Sequence, residues 1–148
     1  MTTIRHETNA NCPPEKVWAL LGDLEAVQRY NPTVRAAKVE GTKRTGIGAT
    51  RACDLIPKGR VVERVIQWED GRAVGLEVAE SDWPINFMRW ITRIEAHGST
   101  TRITQELEYK VKFGPIGWLL DHLVMKKKLT STLDDVFAAL VRHAEASA

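Results

Sequence analysis

Between residues 102 and 112 polar and apolar side chains alternate. Ile103, Leu107, Tyr109 and Val111, with Gln105 among them, fall on one face; Arg102, Thr104, Glu106, Glu108, Lys110 and Lys112 fall on the other. A period of two with one wet face predicts an antiparallel strand. Segment 86–96 behaves the same way, with Met88, Trp90, Thr92 and Ile94 opposed to Arg89, Arg93 and Glu95. Segment 73–80 sets Val74, Leu76 and Val78 against Gly75 and Glu77. Turn signals separate the runs at Gly46-Ile47-Gly48, Pro57-Lys58-Gly59, Asp70-Gly71 and His97-Gly98-Ser99. Consecutive strands joined by short turns make a meander.

The two ends of the chain read differently. Ile4 to Ala10 alternates and predicts a first strand. Pro13-Pro14 then opens a helix carrying Val17, Trp18, Leu20 and Leu21, because proline is tolerated where the backbone N–H has no partner. Gly22-Asp23 ends it, a second short helix covers Leu24 to Arg29, and Asn31-Pro32 stops that one. After Phe113-Gly114-Pro115 the period becomes helical. Ile116, Leu119, Leu120, Leu123, Leu129, Leu133, Val136, Phe137, Leu140 and Val141 predict one stripe down a helix of about eight turns. One stripe on so long a helix needs a broad surface. The expected architecture is therefore α+β: a curved antiparallel sheet of six to seven strands around a long C-terminal helix, with two short helices after the first strand.

Composition narrows the function classes. The chain has 148 residues, expected to form a single domain over 1–148, and 43% are hydrophobic. Its 21 basic residues are answered by 19 acidic ones, a net charge of +2, which makes no electrostatic case for nucleic acid. No apolar run approaches the ~20 residues that span a bilayer, so no stable membrane insertion is expected. The N-terminus lacks the apolar stretch of a signal peptide, which points to the cytoplasm. Cys12 and Cys53 lack the spacing of a redox pair, and the four histidines are scattered, so neither a metal nor a cofactor is expected.

Several motifs in order resemble one family. They are Pro14-Glu15-Lys16-Val17-Trp18-Ala19-Leu20-Leu21-Gly22-Asp23, Tyr30-Asn31-Pro32-Thr33-Val34 and Gly46-Ile47-Gly48-Ala49-Thr50-Arg51, then Val62-Glu63-Arg64-Val65 with Trp68-Glu69-Asp70, and Gly98 to Thr104 before the long last helix. Together they resemble the START/Bet v 1-like superfamily, in particular its bacterial polyketide cyclase/dehydrase-like branch. Gly46-x-Gly48 is not a dinucleotide fingerprint, since no helix follows it. The resemblance implies a helix-grip fold with a cavity for an apolar ligand between sheet and helix.

Polar residues that interrupt inward faces are the candidate site. One face of the strand from Ala49 to Leu55 carries Ala49, Arg51, Cys53 and Leu55, a charge among small and apolar side chains. The next strand is open by pattern alone: Val61, Glu63, Val65 and Gln67 on one face, Val62, Arg64, Ile66 and Trp68 on the other. The resemblance favours Glu63 inward. Arg51 and Glu63 would then share the interior and pair, because burying either charge alone costs several kcal/mol. Such a pair either holds a polar group of a ligand or orders the sheet. Tyr30, Met88, Trp90 and Tyr109 are further candidate wall residues, though each reads first as plain core, since aromatics dominate cores. By resemblance, the loops with Pro57 and Trp83 would lie over the cavity mouth, in the positions of the gate and latch loops of plant abscisic-acid receptors; the receptors' own motifs are absent, so hormone sensing is not implied. Lys126-Lys127-Lys128 reads as a solvated face or an anionic-headgroup contact.

Three functions compete. The first is binding or carriage of a small apolar, aromatic or lipid-like ligand. The second is a polyketide cyclase, aromatase or dehydratase using the same cavity, against which no nucleophile–base pair stands out. The third is a protein- or quinone-interaction module built on Val62, Ile66 and Trp68, a face that would also serve a homodimer; a monomer is the other expectation.

Overall fold

A computed structural model describes residues 2–83, 85–112, 114–120 and 124–146. Its strands are β1 Thr2–Ala10, β2 Val34–Glu40, β3 Thr50–Leu55, β4 Arg60–Glu69, β5 Ala73–Ser81, β6 Ile85–His97 and β7 Thr100–Val111. They form one seven-stranded sheet in the order β1-β7-β6-β5-β4-β3-β2, each neighbour antiparallel. Strands β2 to β7 are the expected meander, and β1 closes the far edge beside β7. The helices are α1 Pro14–Leu21, α2 Val27–Tyr30, α3 Gly114–Leu120 and α4 Lys126–Ala146, with a 3-10 turn at Leu24–Ala26 leading into α2.

Local chemistry sets the short helices. Pro14 occupies the first turn of α1, which buries Val17, Leu20 and Leu21. The Gly22 N–H donates to the Trp18 carbonyl at 2.7 Å and closes α1. The Asp23 carboxylate then accepts from the Glu25 N–H at 3.1 Å and starts the next turn. This helical insert and α4 cover the inner face of the sheet. There Val17, Leu24, Cys53, Val65, Ile103 and Leu140 are among the most buried side chains.

Two expectations need correction. The first is the outer face of β4. Val65 pairs with Leu76 and Gln67 with Gly75, so Ile66 is an extra residue in β4. A bulge of one residue inverts the phase of all that follows it. Trp68 therefore turns inward and meets Trp18 edge-on, with ring centroids 5.2 Å apart. Val62 is buried as well. The Val62/Ile66/Trp68 partner face does not exist as a surface.

The second is the single stripe on the last helix. Leu129, Leu133, Val136, Phe137 and Leu140 do run along the inner side of α4. Ile116 and Leu119 instead belong to α3 and are exposed. At about 100° per residue, a continuous helix would put Leu119 in phase with Phe137, so it is the separate helix α3, and not the sequence period, that takes these residues off the inner face. Leu123, the Leu120 side chain and His122 lie outside the described residues.

The other face of the sheet is a grid of ion pairs. Arg5–Glu106, Arg64–Glu77, Arg89–Glu108, Arg93–Glu69 and Arg102–Glu7 lie between 2.8 and 3.3 Å. Mixed signs there use up the chain's charge locally and leave the net value near zero.

Candidate functional site

A cavity of about 190 Å³ lies between the inner face of the sheet, the helical insert and α4. Most of its described wall is apolar: Leu21 and Val27 from the insert, Val34, Val74, Leu76, Met88, Trp90 and Leu107 from the sheet, and Leu129, Leu133, Val136, Phe137 and Leu140 from α4. Its polar groups gather in two places. One is Arg51 with Glu63, Tyr30, Asn31 and Thr33; the other is Thr92 with Gln105, whose side chains are joined at 3.3 Å; Thr132 on α4 stands apart from both.

The first polar group is fixed by strand register. Arg51 on β3 lies directly opposite Glu63 on β4. The Arg51 Nε donates to Glu63 Oε1 at 2.6 Å, and Arg51 Nη1 donates to the Leu24 carbonyl at 2.9 Å. The second bond ties the sheet to the helical insert. The Cys53 thiol, two residues along β3, lies 3.8 Å from the same Glu63 oxygen. Arg51 and Glu63 are only 5% and 8% exposed. Arg51 Nη2 and Glu63 Oε2 make no bond to another described residue, which leaves one donor and one acceptor group beside the cavity.

Burial dominates the electrostatics. It works against the Arg51 charge, but the Glu63 carboxylate, with Tyr30 and Cys53 behind it, overcomes this and holds the guanidinium above its ordinary value. Burial pushes the Tyr30 phenol up to about 12, with Arg51 pulling down and Glu63 pushing up. Burial and then Glu63 push the Cys53 thiol up to about 12. Near neutral pH the site is thus an internally neutralised ion pair beside a neutral phenol and a neutral thiol.

Of the residues the sequence singled out, Arg51, Glu63, Tyr30, Met88 and Trp90 meet at the cavity. Tyr109, Trp83 and Pro57 do not. Tyr109 is fully buried in a separate cluster with Ile4 and Leu107, against which Met125 and Leu129 pack. Trp83 is half-buried with its indole over Gly59, where an added Cβ would come within 3.0 Å of the ring nitrogen. It therefore joins the two loops to each other rather than reaching the cavity. Pro57 is exposed, and its carbonyl accepts from Arg35. Sequence reasoning missed Leu133, Phe137 and Leu140 as cavity wall; their helical stripe was visible, but what it faced was not. It also missed His6, which stacks on Phe137 at 4.7 Å and meets Asp134 at 2.9 Å, pinning β1 to α4. Among the described residues no group of three His, Cys, Asp or Glu gathers to hold a metal.

An open antiparallel sheet closed by a helix over an internal, mostly apolar cavity is a ligand-binding class of architecture. The family described as polyketide cyclase / dehydrase and lipid transport matches residues 1–145, so the chain belongs to that family. The protein TTHA0849 from Thermus thermophilus is similar in structure, with a TM-score of 0.83 at 21% identity over 99% of each chain. A START superfamily protein from Mycobacterium smegmatis gives 0.82 at 16% identity, again over 99% of each chain. Ara h 8.0201 gives 0.74 at 14% identity over 98% of each chain. At such identities the likeness is one of fold. No curated protein matches the chain.

Proposed function

We propose that this protein binds and carries a small apolar or aromatic molecule in the cavity beneath α4. The observation that carries this reading is the space itself, about 190 Å³, lined mostly by apolar side chains. An apolar cavity of about 150 Å³ accepts benzene, whereas drug-sized ligands occupy about 300 Å³ or more. The space as it stands suits one or two fused rings. A two-chain lipid would require it to open. Arg51 and Glu63 cancel each other, so a neutral ligand enters without leaving an unanswered charge. Tyr30, Met88 and Trp90 complete the binding wall in this reading.

A cyclase or dehydratase reaction in the same space is less well served. A proton-transfer group works best with a pKa near the working pH. Tyr30 sits at about 12, and the Glu63 carboxylate is already engaged by Arg51. Binding asks nothing of either group but position.

Titration with naphthalene and 2-naphthol, read by tryptophan fluorescence through Trp90, tests the proposal. Saturable binding that is lost in Leu133→Trp, a substitution that fills the cavity, is the expected result. Undetectable binding, or equal binding by the filled variant, overturns it. Solvent extraction of the purified protein followed by mass spectrometry would identify a natural occupant.

A further inference from the structure

Five large apolar side chains are exposed among the described residues: Ile47, Ile56, Ile116, Leu119 and Val124. Three of them crowd into α3 and the residues just before α4, at 68% exposure for Ile116, 51% for Leu119 and 57% for Val124. Lys110, Lys112, Lys126, Lys127 and Lys128 flank them, all exposed. Over residues 110–133 these five lysines face one acidic residue in the sequence, Asp121, a net of +4. The whole chain carries +2, so the remainder carries −2. Strand register adds one more element. Val111 pairs with Ile85, Ser81 with Val61, and Leu55 with Val34, so the β3–β4 loop with exposed Ile56 and Lys58 lies at the same end of the sheet.

We infer that this end of the molecule docks on an anionic lipid surface. Exposed apolar side chains flanked along the chain by exposed lysines, with Val124, Lys127 and Lys128 lining one surface hollow, match the two layers such a surface presents: acyl chains at shallow depth and phosphates above them. The match is peripheral, since no helix among the described residues is long and apolar enough to cross a membrane. A second copy of the chain is a poorer occupant. A two-fold interface brings the same patch to itself, and here that would set five lysines against five. The arginines on the sheet's ion-paired face differ, since they are answered locally by glutamates.

The inference stands apart from the cavity reading, and flotation with vesicles tests it separately. The full chain is mixed with vesicles of phosphatidylcholine, with and without phosphatidylglycerol. Binding should be at least about tenfold tighter to the anionic vesicles and should weaken as salt rises. Lys126→Glu/Lys127→Glu/Lys128→Glu should abolish it. Ile116→Ser/Leu119→Ser should weaken it while leaving the salt dependence. These positions are exposed, and circular dichroism checks that the fold persists. Leu133→Trp, which fills the cavity, should bind vesicles normally. Equal binding to both vesicle types, no binding to either, or full binding by the lysine variant overturns the inference. A concentration-dependent dimer lost in Ile116→Ser/Leu119→Ser, without vesicle binding, also overturns it and assigns the patch to a second copy.

Discussion

Arg51–Glu63 and Arg89–Glu108 are the same construction on opposite faces of one sheet. In each, an arginine lies directly opposite a glutamate on the neighbouring antiparallel strand. In each, the guanidinium Nε donates to the carboxylate, at 2.6 Å in the first and 3.1 Å in the second. The second bond differs, since Arg89 Nη2 also donates to Glu108 at 2.8 Å while Arg51 Nη1 goes to Leu24, but the larger difference is the surroundings. The inner pair's side chains are 6% and 11% exposed, the outer pair's 46% and 23%. Outside, water solvates either partner if the other is removed, and such pairs contribute about 0–1 kcal/mol. Inside, neither charge has water to fall back on. Pairing there offsets desolvation more than it adds stability, and its value is positional. It aligns β3 with β4, reaches across to Leu24 in the helical insert, and leaves Nη2 and Oε2 beside the cavity.

The largest expected contrast comes from breaking each pair at one partner. Glu63→Leu leaves Arg51 buried without its counter-charge and should cost about 3–5 kcal/mol in urea unfolding. Glu108→Leu should cost less than about 1 kcal/mol. Equal losses would mean that burial does not govern these pairs. Next is the repair: Arg51→Met/Glu63→Leu should recover most of the loss, because no charge is left stranded. If that double variant also keeps full affinity for 2-naphthol, the pair orders the sheet and has no part in the ligand's contacts.

Alkaline pH should act around the inner pair and spare the outer one, with the buried Cys12 thiol, also raised by burial and then by Glu145, adding to the fall. Cys53 and Tyr30 both have native values near 12, above their ordinary 9.0 and 10.0, so the native state keeps these protons longer than the unfolded chain. Their contribution is complete below about pH 9 and is lost as pH rises towards about 12, at about 1.4 kcal/mol per pH unit for each group once its ordinary value is passed. Urea unfolding at about pH 8 and about pH 11 should show the fall, and Cys53→Ala should remove most of the part that begins at the lower pH. The smallest effect concerns reactivity. At neutral pH the buried Cys53 thiol should resist iodoacetamide in the native protein and react once unfolded, as mass spectrometry would show; prompt native labelling would mean the inner face is open.

Legibility followed the same division. Six to seven strands, the insert and the inward side of Arg51 came from local periodicity; the direction of Glu63, and with it the expected pairing, came from resemblance. A charge in phase with Cys53 and Leu55 is visible in one segment. Trp68 was misread because a bulge at Ile66 depends on how β4 meets β5, and neither strand's pattern records it. Tyr109 shares a face with Gln105, yet Gln105 reaches the cavity and Tyr109 is sealed under Met125 and Leu129. Which position of one strand face meets open space depends on where α4 crosses it.

By itself the amino-acid sequence determined the order and type of the elements, the wet and dry faces of most strands, and the presence of a charged pair that needed an interior solution. Side-chain period and turn chemistry act over a few residues, so they are written locally. The tertiary structure alone decided that the space beneath α4 holds about 190 Å³, that α4 supplies one side of its wall, and that Ile116 and Leu119 stay outside it. Those outcomes depend on curvature, register and crossing position, which arise only when distant segments meet.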